Sequence, residues 1–230
     1  MKNFVIIGGS SGIGEAIVDN LEADGNHIIA SYNSSKKESR PLVKYVKLDV
    51  TTDALHEEDL PDKIHGLAYC PGSINLKSFH RFKEDDFISD FRLQVLGATK
   101  VIKQLLPKLK EAKGASIVLF STVAVQTGFT FHSQVAISKG AIEGLTRALA
   151  AEFAPSIRVN AIAPALTNTK LSENLLNTPE KIQYHADKNP SKRIGEPQDL
   201  AAAACYLLSE KSSWVTGQII NVNGGFGNLA

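Results

Sequence analysis

Two short stretches carry most of the chemistry legible in this chain. The first is Gly-Gly-Ser-Ser-Gly-Ile-Gly, from Gly8 to Gly14, which follows the apolar run Asn3–Ile7 and opens a helical pattern. Glycines at 8, 12 and 14 permit a tight turn and a close backbone approach to a pyrophosphate. The helix that follows offers free amide donors and the positive end of its dipole. A glycine pattern alone is weak, but its strand–turn–helix setting meets the structural condition for phosphate binding. The second stretch, FHSQVAISKGAIEGLTRALAAEF from Phe131 to Phe153, begins as a loop and becomes an amphipathic helix. If helical geometry extends back far enough, His132, Val135 and Lys139 share one face. No Cys/His cluster has metal-ligand spacing, so no metal site is expected.

The elements that must position these groups form a regular alternation. Short apolar runs at 3–7, 27–31, 45–50, 66–70, 115–120, 157–163 and 217–223 read as strands, mostly separated by helical stretches. That pattern predicts a parallel sheet covered on both faces. Residues 32–44, YNSSKKESRPLVK, are polar and lack helical periodicity, which predicts a loop where a helix would be expected. Long helices are predicted over 84–112 and 134–154.

Composition narrows the class. The 230 residues suit one domain with a sizeable core, 43% being hydrophobic and 21% charged. With 25 basic and 24 acidic residues the net charge is +1, so there is no basic excess for nucleic acid. The two cysteines, Cys70 and Cys205, make a disulfide framework implausible and point to a reducing cytoplasm. The apolar run Phe4–Ile7 is too short for a signal-peptide core, and no run approaches a membrane span.

Several motifs in order resemble the short-chain dehydrogenase/reductase family across nearly the whole chain. They are the glycine loop, Asp49 after the third strand, Cys-Pro-Gly at 70–72, and Lys139 on the helix after the fifth strand. RVNAIAP (158–164), RIGEPQDLA (193–201) and GQIINVNGG (217–225) complete the series. The resemblance implies a single-domain α/β fold: a Rossmann-like, doubly wound, parallel seven-stranded sheet ordered 3-2-1-4-5-6-7. It also implies an NAD or NADP cofactor and a dimer or tetramer.

Carried over by position, the family's cofactor contacts fall on Gly8, Ser10, Ser11, Gly12, Ile13 and Gly14. Asp49, with Val50 beside it, matches the aspartate that holds the adenine amino group. Gly72 matches the family's Asn-Asn-Ala-Gly, while Cys70 and Pro71 depart from it. Pro164, Thr167 and Thr169 match the segment that meets the nicotinamide amide and phosphates. In this fold an acidic residue after the second strand selects NAD. Here Tyr32, Asn33 and Ser34 stand there without a carboxylate, which favours NADP and leaves NAD possible.

The resemblance also implies a tetrad of tyrosine, lysine, serine and asparagine. Lys139 is the lysine. Thr122 stands at the serine position, Gln94 at the asparagine and Val135 at the tyrosine. Valine has no proton to give. Three routes could replace it: His132, an imidazole close to Val135; a water relay through Ser133 or Thr122; and Tyr184, from the segment 171–190 that resembles the family's substrate lid. Ser121 and Thr122 point to opposite faces if the strand continues, and the spacing to Lys139 favours Thr122.

Two functions remain open at this level. One is an atypical NAD(P)-dependent oxidoreductase acting on a carbonyl or alcohol. The other is a degenerate dinucleotide-binding sensor or assembly subunit. An isomerase or dehydratase on the same fold is a third, weaker option. The expected partners are a small-molecule substrate and further copies of the chain.

Overall fold

A computed structural model describes residues 1–227 and Leu229. Among these, seven strands form one parallel sheet: β1 (Asn3–Ile7), β2 (His27–Tyr32), β3 (Val43–Lys47), β4 (Gly66–Tyr69), β5 (Ala115–Phe120), β6 (Ile157–Pro164) and β7 (Ile219–Val222). Their spatial order is β3-β2-β1-β4-β5-β6-β7, as the family resemblance implies. The helices are α1 (Gly12–Ala23), α2 (Glu84–Phe91), α3 (Gly97–Lys110), α4 (Ser133–Phe153), α5 (Pro179–Lys188) and α6 (Pro197–Leu208).

The alternation of a strand divides the core in two. Val5 and Ile7 of β1 face a cluster that includes Val101 and Leu105 of α3 and Ile142 of α4. Phe4 and Ile6 face the other side, with Ile17 and Leu21 of α1 and Leu200 and Leu207 of α6. Both faces of the central strands are therefore apolar, which is why those strands read as continuous hydrophobic runs.

Three boundaries differ from expectation. The third strand lies at 43–47, not 45–50. Its pairing with β2 runs from Ile28↔Val43 to Tyr32↔Lys47 and ends with that strand. Asp49 then turns the chain, its Oδ1 accepting the Thr51 N–H at 2.9 Å. The last strand is shorter than 217–223, because Gly217 has a left-handed φ of 72°. The expected helix over 84–112 is interrupted: Arg92–Leu96 forms a π-turn between α2 and α3. The Tyr69 hydroxyl donates to the Leu93 carbonyl at 2.6 Å, and the Gly97 N–H bonds Arg92 O instead. A side-chain donor inserted into the ladder is a recognised cause of such a bulge. Residues 33–42 contain no helix, in line with their polar sequence.

Candidate active site

The glycine loop is built around conformations that only glycine takes easily. Gly8 has φ 75° and Gly12 φ 55°. The Gly8 N–H donates to Ser31 Oγ at 2.9 Å, tying the loop to β2. Gly14 has a different task. A Cβ there would lie 2.2 Å from Gly8 O, so its missing side chain lets α1 pack against the loop itself. A Cβ on Gly12 would meet the Thr169 methyl at 3.3 Å, so the segment after β6 closes over the loop.

A cleft of about 450 Å³ lies along this loop. Gly8, Ser10, Ser11, Gly12, Ile13, Gly14, Asn33, Ser34, Val50, Cys70, Pro71, Gly72 and Thr169 all line it. Tyr32 does not; Ser31 takes its place, because alternate residues of a strand face the same side and Ser31 and Asn33 point inward together. Asp49 is also outside the lining. Its carboxylate is held by the Thr51 hydroxyl at 2.6 Å and the Thr51 N–H, which keep it below the ordinary carboxylate range. Lys36 and Lys37 turn away: Lys36 approaches Glu38 at 3.6 Å, and Lys37 pairs with Glu15. The glycine conformations, the serine hydroxyls and the exposed start of α1 together fit a dinucleotide's phosphates and ribose.

A second cavity, about 340 Å³, adjoins the first; both touch Ile13, Cys70, Gly72, Thr169 and Leu171. Thr122, His132, Val135 and Lys139 line it together, as do Pro164 and Thr167. Lys139 Nζ donates to the Phe120 carbonyl at 2.8 Å. Burial is the main influence on this amine and brings it down to about 8, although Asp90 and Cys70 oppose the fall. Burial likewise pushes the Cys70 thiol up to about 12, so it is not a nucleophile here. The Thr122 oxygen accepts the Ala124 N–H at 3.3 Å, leaving its own proton free to donate. The neighbouring Ser121 hydroxyl instead donates to Glu143 at 2.8 Å.

His132 precedes α4 and follows Phe131, which holds a left-handed φ of 68°. Strained backbone of this kind persists where surrounding structure imposes it. His132 Nδ1 lies 2.7 Å from the Thr130 carbonyl. A carbonyl can only accept, so Nδ1 carries the hydrogen of this bond and Nε2 lies outside it. Phe129 packs against the imidazole and stacks on Phe226, forming an aromatic wall.

Two features of this site, His185 and Asp90, were not read from the sequence. His185 of α5 lines the cavity, whereas its neighbour Tyr184, expected as a proton source, is 55% exposed and bonded to Lys188. Adjacent helical residues differ by about 100°, so one faced the cavity and the other solvent. Burial and the nearby lysines 188 and 181 hold His185 below its ordinary range. Asp90 is buried beneath the cavity, where its Oδ1 accepts from Ser73 Oγ and from Gln94 Nε2 at 2.7 Å. Its spacing of four from Gln94 was the available signal. Ser133, a suggested relay, is not in the cavity lining.

Among the described residues no group of His, Cys, Asp or Glu could hold a metal, and no helix is long and apolar enough to cross a membrane.

Comparison with known proteins gives a consistent result. The family model described as enoyl-(acyl carrier protein) reductase matches residues 8–227. An uncharacterized oxidoreductase, YmfI, of Bacillus subtilis (strain 168) is 31% identical over 241 residues, covering 98% of each chain. Dehydrogenase/reductase SDR family member 4 of Homo sapiens is 29% identical, covering 97% of this chain and 87% of the other. The ligand-free structure of Thermoplasma acidophilum aldohexose dehydrogenase superposes with a TM-score of 0.90 at 26% identity, over all of this chain and 95% of that one.

Proposed function

The chain belongs to the short-chain dehydrogenase/reductase family, and on that premise we propose that it is an NADP-preferring oxidoreductase acting on an apolar carbonyl or alcohol. The observation that carries this reading is the junction of the two cavities. Thr122, His132 and Lys139 converge on a space that opens onto the glycine-loop cleft.

Bound in the cleft, a nicotinamide dinucleotide supplies or takes up a hydride. The residues Ser10, Ser11, Ser31, Asn33 and Ser34 offer hydroxyl and amide donors to phosphates, and Lys170 is the charged residue of the described lining. None of the described lining residues is a carboxylate that would repel a 2′-phosphate. Thr167 and Thr169 bound the region between cleft and cavity.

The chain's own residues divide the remaining work. In reduction, the Thr122 hydroxyl donates to the substrate oxygen and polarises the carbonyl. His132, entering as the imidazolium with its Nδ1 proton held by Thr130, gives its Nε2 proton to the oxygen as it becomes an alcohol and is left as the neutral Nδ1–H form. Lys139 contributes positive charge beside the same space. Val135 contributes shape alone.

The substrate class follows from the walls. Ile74, Leu76, Phe129, Leu166, Leu175 and Phe226 make them mainly apolar, with Thr122, His132, Lys139 and His185 among the polar groups. Residues 171–190, which include α5 and supply Leu171, Ser172, Leu175 and His185 to the lining, act as the substrate lid. We assign a homodimer or homotetramer, supported by outward-facing Ile88, Leu96 and Ile137 on or beside α2 and α4. A cytoplasmic location is in keeping with two free cysteines.

Calorimetric titration with NADPH and NADH, followed by turnover of a panel of apolar ketones, tests the reading. Binding without turnover of any carbonyl would favour the alternative that Val135 itself raises, a dinucleotide-binding module without catalysis.

A further inference from the structure

Asp90 is a carboxylate in an unusual place. It lies on α2 and is 4% exposed; its neighbour Asp86 is the α2 carboxylate that pairs with Lys77. Ser73, from the loop after β4, and Gln94, from the π-turn, both donate to its Oδ1. No protein donor reaches its Oδ2 or Gln94 Oε1, although both atoms are buried. Across the gap left by Gly72 lies Lys139. A Cβ built on Gly72 would sit 3.5 Å from Gln94 Oε1 and 3.7 Å from Lys139 Nζ. Gln94 and Ser73 also line the catalytic cavity, so the network runs from that cavity to the buried carboxylate.

We propose that Asp90 is a positioning residue whose carboxylate, oriented by Ser73 and Gln94, keeps Lys139 charged in a site where Val135 offers it no polar partner. The proposal rests on the reading of Lys139 as part of the reaction site. A buried ammonium beside an aliphatic side chain tends to lose its proton. Its one described hydrogen bond, to the Phe120 carbonyl, satisfies only one of three N–H groups. A carboxylate fixed nearby opposes that loss, and its two donors hold it in place.

The ionisable groups around Lys139 are few. Asp90 comes from α2 and Cys70 from the turn after β4, and both favour the ammonium. His132, before α4, and His185, on α5, share the cavity. Burial raises the Cys70 thiol to about 12, which leaves Asp90 as the carboxylate of the set. The sign of its effect follows. Lys139 is an ammonium below its pKa of about 8 and loses its proton above it. Without Asp90 that loss moves to lower pH.

Competitive acetylation with acetic anhydride, read at Lys139 by peptide mass spectrometry across pH 5–11, measures this directly and needs neither cofactor nor substrate. Asp90→Asn keeps the size of the side chain and an Oδ1 that accepts from Ser73 and Gln94, and removes the charge. The Lys139 midpoint is expected to fall by about one pH unit or more in that variant, and Asp90→Glu is expected to restore most of it. An unchanged midpoint in folded Asp90→Asn protein overturns the proposal. Should that variant not fold, ¹³C-carboxyl NMR of aspartate-labelled wild-type protein gives the answer. The Asp90 resonance is expected to shift as Lys139 titrates, and a resonance flat through that range overturns it. Because both readouts use the free protein, a failure to bind NADPH or reduce ketones leaves them intact and counts against the functional reading instead.

Discussion

Val135 places two methyl groups where the family's tyrosine would stand, and on the proposed reading the acid is His132 on the same wall. The Thr130 carbonyl and the Phe129 ring hold that imidazole. Replacing His132 by alanine is expected to reduce ketone turnover by about 10²–10⁴-fold while leaving NADPH affinity nearly unchanged. Steady-state kinetics beside calorimetry separates the two, and undiminished turnover would remove histidine as the donor. The reverse substitution is equally informative. Val135 is 7% exposed and lines the cavity with Lys139. Val135→Tyr is expected to raise turnover about tenfold or more, by adding a phenol next to the ammonium. A variant that still binds NADPH but gains nothing would show that the cavity no longer fits a tyrosine mechanism.

The elements hold these residues through a few specific contacts. The π-turn between α2 and α3 sets the pitch at which Asp90 and Gln94 reach the site, and Tyr69 maintains it. Tyr69→Phe leaves the Leu93 carbonyl without its donor and is expected to cost about 1–3 kcal/mol. At about 2–4 °C of Tm per kcal/mol for a chain of this size, scanning calorimetry resolves the loss; an unchanged Tm would mean that the turn is held by packing alone. At the far end of the cleft, β2 delivers Ser31, Asn33 and Ser34. Ser34→Asp puts a negative charge there. It is expected to weaken NADPH binding about tenfold or more while sparing NADH, since only NADPH carries the 2′-phosphate that the new charge would repel. Equal effects on both cofactors would place the 2′-phosphate elsewhere.

For the whole molecule, several large apolar side chains are exposed, and three of them lie on or beside α2 and α4. Ile88 is 44%, Leu96 51% and Ile137 54% exposed, and α2 packs on α4. A second copy of the chain is the occupant assigned above. Leu96→Glu combined with Ile137→Glu is expected to convert the assembly to monomer in sedimentation velocity, because a charge buried without a partner is costly at an interface. A wild-type protein that sediments as a monomer at micromolar concentration would contradict the assignment.

The order of the sheet was implied by the resemblance to the short-chain dehydrogenase/reductase family; its strands and its loop of glycines were determined by the sequence alone. Those features rest on local periodicity and on residue types with few alternatives: apolar runs buried on both faces, and glycine where φ is positive. It also determined that Val135 stands four residues before Lys139, since spacing along a chain survives folding. What tertiary structure decided was direction. Tyr184 and His185 are neighbours in sequence, yet only His185 faces the cavity. Ser31 and Tyr32 likewise divide between the two faces of β2, and the strand end alone did not say which one entered the cleft. The helix expected over 84–112 broke at a contact with Tyr69, a residue more than twenty positions away. Asp90 became visible only when Ser73 and Gln94 were brought to it. Each of these depends on a partner distant in the chain or on the rotation of an element about its own axis, and periodicity carries neither.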